Sequence, residues 1–184
     1  LLPPPAIFLA ACFLFSQPST LQAALKTKNE IPEFLGIKEW KSVYGPLKKK
    51  NILGAVALIH FSTFTDLRSL YKADMLINWQ SKYYAYGFRV IHILTPDFDF
   101  EKEITLPLHL SQKTRINYPI ALDYKKIQWQ AYNNPQKPFD FLIDSHGQIR
   151  FKIPVNESLE KEEYINNNFI ILFILILIMR DDQF

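Results

Sequence analysis

Cysteine is almost missing from this chain: its 184 residues include one, Cys12. A single thiol forms no internal disulfide, no dithiol redox centre and no cysteine-rich zinc cage. Glycine is scarce as well, at 5 residues, which excludes a glycine-rich phosphate cradle and collagen-like repeats. No sign of charge dominates. Lys and Arg number 21 against 18 Asp and Glu, a formal net charge of +3, too small to indicate a nucleic-acid partner. The 4 histidines show no metal-ligand spacing, so neither a metal nor another cofactor is expected. No apolar run reaches the roughly 20 residues that a membrane-spanning helix needs. What the chain does have is apolar material: 48% hydrophobic and 15% aromatic residues. That suffices for a core and excludes global disorder. The length fits one domain with appended segments.

The two ends read differently from the middle. Residues 1–24 read as an export segment. Within them, 6–15 (AIFLAACFLF) has the length of a secretory hydrophobic region, and Leu21-Gln22-Ala23-Ala24 is a loose small-residue cleavage pattern. Leu9-Ala10-Ala11-Cys12 also matches a lipobox, which makes Cys12 a lipidation candidate. A disordered, truncated terminus is the third reading. Residues 156–184 form a charged, helix-prone stretch followed by an apolar run at 169–179 (FIILFILILIM). That run suits a tail packed on the domain or a partner, a membrane-dipping tail, or a frameshift remnant without function. Membrane association through either terminus stays open.

Residues 34–155 alternate between strand and helix patterns. The near-continuous apolar run 55–61 is the mark of a strand buried on both faces. Thr65 and Asp66 offer a cap and a first-turn negative charge. Leu67, Tyr71, Met75, Trp79 and Tyr83, with Leu70 beside them, form the apolar stripe of a helix. Gly87 ends it. Strands are predicted at 88–94, 120–122 and 139–143, and a helix at 127–132. A helix is also predicted at 101–114, where Pro107 opens or kinks it. Asp144-Ser145-His146-Gly147 signals a hairpin turn, with 148–153 as the returning strand. The class is therefore α/β, a central sheet with helices on both faces. Lys48-Lys49-Lys50 reads as a solvated turn. His60 and His92 read as hydrogen-bonded core residues, and His109 and His146 as surface or turn residues. Asn156-Glu157-Ser158 is a weak glycosylation pattern.

Several local stretches share one family's pattern. They are Glu39-Trp40, the strand leading to Phe61-Ser62-Thr63-Phe64-Thr65, Thr95-Pro96-Asp97-Phe98 with Phe100-Glu101-Lys102, Tyr118 through Asp123, and Trp129-Gln130-Ala131-Tyr132. Pro138 with Phe141-Leu142-Ile143-Asp144 and Gly147-Gln148-Ile149-Arg150 completes the series. In order and spacing these resemble the thioredoxin-like superfamily. The branch they match is the redoxins, the exported, membrane-tethered thiol–disulfide proteins of the TlpA and DipZ type. The resemblance implies a thioredoxin-like fold with a central mixed β-sheet, a cis Pro138, and export to the periplasm or membrane of a bacterium. It also implies thiol–disulfide oxidoreductase relatives. Their Cys-x-x-Cys falls on Asp66 and Ser69 here.

Neither Asp66 nor Ser69 forms a disulfide, so dithiol catalysis is not expected. Asp66 suits a helix start, where a negative charge interacts favourably with the macrodipole by about 0.3–1 kcal/mol. A polar contact in a peptide groove is its functional reading. Ser69 reads as a small helix residue. A Ser69–His60–Asp66 triad lacks a nucleophile elbow. If the groove beside Pro138 persists, an extended peptide or envelope protein binds by strand addition. Asp66, Ser69, Lys137 and Pro138 are then the binding residues. The expectation is a redox-inactive, non-enzymatic binding or scaffold module. The competing readings are a non-dithiol enzyme working through Asp66 and a decaying gene product.

Overall fold

The computed structural model describes residues 29–37, 39–41, 46–63, 65, 67–102 and 115–155. The chain divides into the units Leu1–Glu30 and Ile31–Phe184, and the fold below belongs to the second. Segments 1–24 and 156–184 lie outside the described residues, as do Cys12, the 103–114 part of the predicted helix, His109 and Asn156.

In chain order the strands are β1 (Glu39–Lys41), β2 (Val56–Ser62), β3 (Phe88–Leu94), β4 (Ile120–Leu122), β5 (Phe139–Ile143) and β6 (Ile149–Pro154). The helices are α1 (Leu67–Tyr83) and the short α2 (Ile127–Ala131). The strands form one mixed six-stranded sheet in the order β1-β4-β3-β2-β5-β6. β2, β3 and β4 run parallel, whereas β1, β5 and β6 pair antiparallel to their neighbours.

Side chains on successive strand residues point to opposite faces, so each central strand serves two cores. Val56, Leu58, Val90 and Leu142 face α1, with Leu76, Trp79 and Tyr83. Ala57, Ile59, Phe61, Ile91 and Phe141 face the other side, where Tyr132 and Trp129 at α2 pack with Ile31, Phe34 and Ile52. This two-sided burial is why β2, β3 and β5 read as apolar runs.

The buried face of α1 includes residues outside the expected stripe, whose Leu67, Leu70 and Tyr71 side chains lie outside the described ones. Lys72, Ala73, Leu76 and Gln80 are buried along with Trp79 and Tyr83, while Met75 is only partly so. The two polar members are satisfied by strands. Gln80 Oε1 accepts the Val90 amide at 2.7 Å, and Lys72 pairs with Asp140. A 3-10 turn, Tyr84–Tyr86, ends the helix at Gly87, whose φ of 84° is left-handed and therefore suits glycine. Lys48 donates its amide to Asn51 at 2.8 Å, and Lys49–Asn51 forms the predicted solvated turn. Among the described residues no helix is long and apolar enough to cross a membrane.

Candidate functional site

Three segments meet at one end of the sheet. They are Thr63 and Thr65 between β2 and α1, the loop after β3, and the loop before β5. Thr95 donates its amide to Ser62 O at 2.9 Å, which fixes the first against the second.

Glu101 reinforces that joint. It lies in the 3-10 turn Asp99–Lys102 and is fully buried. Its Oε1 accepts the hydroxyls of Thr63 at 2.7 Å and Thr65 at 2.8 Å. Its Oε2 accepts the amides of Asp97 at 2.5 Å and Phe98 at 3.2 Å. Burial alone would raise this carboxyl's pKa. The Thr63 and Thr65 hydroxyls and the Phe98 and Asp97 amides outweigh it and hold the value below the usual Glu range. The Thr65 hydroxyl expected as a helix cap therefore gives its hydrogen to Glu101.

Lys137 joins the third segment. The Lys137–Pro138 peptide is cis, as the resemblance implies. Lys137 Nζ donates to Thr95 O at 2.8 Å, pairs with the Asp97 carboxylate, and lies 4.8 Å from the centre of the Trp129 ring. Trp129 is placed by Asp123, a buried carboxylate at the end of β4. Its oxygens accept the amides of Gln128 at 3.2 Å and Trp129 at 2.9 Å. Burial is the dominant influence on Asp123 and raises its pKa against those hydrogen bonds. Gln128, also buried, donates to Glu33 O at 3.0 Å and Leu35 O at 2.8 Å.

Behind this joint runs a buried charged row. Asp140, His60 and His92 are Cα partners across β5, β2 and β3, all on the face covered by α1. His60 Nδ1 is 2.7 Å from Asp140 Oδ1, and Lys72 Nζ meets Asp140 Oδ2. Ser62 Oγ lies 2.6 Å from His92 Nε2. The His60 and His92 ring centres are 4.7 Å apart. His60 is 0%, Lys72 5%, His92 4% and Asp140 1% exposed, so the row is shut off from solvent. Burial pushes the Asp140 carboxyl up, but the Lys72 charge and His60 outweigh it and leave it well below the usual range. An ionised carboxylate only accepts, so His60 Nδ1 carries the proton between them. Burial lowers the Lys72 ammonium against the pull of Asp140. Burial, then the His60 charge, lowers His92 well below its ordinary value.

Lys137 and Pro138 thus lie together, beside Thr95, Asp97 and Trp129. Asp66 falls outside the described residues, and of Ser69 only its backbone place in the first turn of α1 is described. His60 serves Asp140. His146 is exposed in the hairpin turn, where Asp144 accepts its amide at 2.9 Å. Among the described residues no cluster of three or more His, Cys, Asp or Glu side chains is placed to hold a metal ion. Sequence reading missed Glu101 as a hub and missed the Lys72–Asp140 pair. A signal for the pair existed: Asp140 interrupts the apolar strand FDFLI, and a charge inside such a strand needs a partner.

No family model matches the chain. DipZ of Mycobacterium bovis is 31% identical over 130 residues, covering 70% of this chain and 19% of DipZ, so the chain spans about a fifth of that relative's length. A thiol:disulfide interchange protein of the thioredoxin family from Chlorobium tepidum shares 18% identity at a TM-score of 0.57, over 76% of this chain and 94% of that one. A secreted Mycobacterium tuberculosis disulfide oxidoreductase homologous to Escherichia coli DsbE shares 15% at 0.53, over 66% and 85%. The two solved structures share its fold, the mixed sheet with helices on both faces. The chain thus has the thioredoxin-like fold, and its sequence likeness, through DipZ, is to the thioredoxin-like redoxin family.

Proposed function

We propose that this domain is a redox-inactive binding module, extracytoplasmic like the envelope proteins its relatives suggest, that takes an extended polypeptide beside the Pro138 loop. The observation that carries this reading is a hydrogen-bonded site frame in a chain without the family's thiols. By the resemblance, Asp66 and Ser69 stand where the family has its cysteines, and the single cysteine is Cys12. Glu101 and Lys137 nonetheless tie residues 63–65, the loop after β3 and the Pro138 loop into one surface. Disulfide exchange needs a thiolate nucleophile, and neither position supplies one. Strand addition needs only backbone hydrogen-bonding groups and a side-chain recess. Asp66, Ser69, Lys137 and Pro138 would then meet the peptide.

The test is insulin reduction in dithiothreitol. The natural sequence is expected to run at the uncatalysed rate, and Asp66→Cys/Ser69→Cys is expected to gain clear activity. Activity of the natural sequence would overturn the redox-inactive reading. A double variant without gain would place positions 66 and 69 away from the family's active centre. For binding, an unstructured peptide titrated into isotopically labelled protein is expected to shift resonances of residues 95–97 and 137–139. Shifts confined elsewhere would refute the groove.

A further inference from the structure

The row behind the site gathers several bases around one carboxylate. Among the described residues, Asp140 faces Lys72, His60 and His92. The groups around His92 come from every layer packed against it. They are His60 and Ser62 of β2, Lys72 of α1, Asp140 of β5, and the Tyr118 ring ahead of β4, whose centre is 6.2 Å away. Tyr118 in turn feels the charge of Asp74 on α1.

With Asp140 ionised, one proton on the bases it touches leaves the row neutral. A second cation would have to share that carboxylate in a dry interior, which is strongly disfavoured. The same imidazole in water takes a proton near pH 6.5. Protonated His92 therefore belongs to a state in which the row has met solvent. The strands of the row are hydrogen-bonded to one another. Lys72 is the member supplied by another layer, so separation falls between α1 and the sheet.

We propose that this row is an acid-operated latch, in which proton uptake by His92 holds the first half of α1 away from β3 and β5. It acts at the site because α1 begins there and Asp140 lies two residues beyond Pro138. The inference stands whether or not a peptide binds.

The test is hydrogen–deuterium exchange of the full chain between pH 7.5 and 5.0, corrected for intrinsic exchange rates. Opening of Leu67–Tyr83 is expected to rise by at least about tenfold per pH unit below roughly 6.5, His92 supplying the slope of one proton. Peptides from β6 are expected to stay level. His92→Gln keeps a hydrogen-bonding partner for Ser62 but takes no proton, so its α1 exchange is expected to rise less steeply than that of the natural protein, by about tenfold less per pH unit. A pH-independent α1 in the natural protein, or an unchanged slope in His92→Gln, overturns the latch. Should His92→Gln fail to fold, NMR of the natural protein decides. Protonated His92 signals arising with α1 opening support the latch, and a ring titrating near 6.5 with α1 still protected overturns it.

Discussion

Replacing Glu101 by Gln tests the joint between the site segments. The carboxylate is fully buried and accepts two hydroxyls and two amides. The amides of Asp97 and Phe98 only donate, so the oxygen of the new side-chain amide must turn toward them. Its nitrogen then faces Thr63 and Thr65, whose hydroxyl oxygens can accept. All four bonds survive in the variant, without charge assistance. Bonds to a charged group contribute about 1.5–3 kcal/mol and neutral ones about 1 kcal/mol. Asp97 and Phe98 are exposed residues, so water compensates part of the difference there. The expected loss for Glu101→Gln is therefore about 2 kcal/mol, and for Glu101→Ala, which also orphans the donors, about 3–5 kcal/mol. Urea denaturation followed by tryptophan fluorescence at pH 7 measures both. The pH dependence then separates charge from shape. The folded pKa of Glu101 is depressed, so its contribution is present above the unfolded value of about 4.3 and is lost as pH falls through the folded value. The gap between the natural protein and Glu101→Gln should accordingly narrow below about pH 4. Equal stability at pH 7, or a gap that stays constant to the acid limit of the folded state, would refute the assignment.

Two further predictions concern the core and the turns. Lys72→Met and Asp140→Asn should each destabilise by about 3 kcal/mol, since each leaves buried charged or polar partners unmatched. The double variant Lys72→Met/Asp140→Asn should lose clearly less than the sum of its single variants, and additivity in that cycle would deny the pair. Gly87→Ala should cost about 1 kcal/mol from its φ of 84° alone, because no atom lies within 4 Å of an added Cβ. Gly36→Ala should cost more, since its φ is also positive and the new Cβ would fall 2.2 Å from Ile127 Cδ1. Thermal melting compares the two, and equal losses would deny the close approach.

The central strands were legible because burial on both faces leaves an unbroken apolar run. β3, β4 and β5 occupy the predicted residues, and β2 is shifted by one. Gly87 was legible because a left-handed residue after a helix favours glycine. β1 was not read as a strand. Its three residues, Glu39, Trp40 and Lys41, have no apolar alternation, and their conformation comes from pairing with β4, some eighty positions away. The inward face of α1 was read incompletely for a related reason. Lys72 and Gln80 look solvent-facing by residue type, yet each has a partner on a strand, Asp140 and the Val90 amide. Periodicity counts apolar residues and is blind to polar ones satisfied at long range. Glu101 belongs to the same class. It lay within a matching stretch, but its acceptor role depends on Thr63 and Thr65 from another loop.

Those long-range polar contacts also hold the site frame together without any thiol. Glu101 fixes residues 63–65 to the loop after β3, Lys137 fixes the Pro138 loop to Thr95 and Asp97, and Asp123 fixes the start of α2 beneath Lys137. None of these contacts uses position 66 or 69. Asp66 moreover precedes a helix start, where a negative charge is favourable. These described supports of the surface therefore do not depend on which side chains stand at positions 66 and 69.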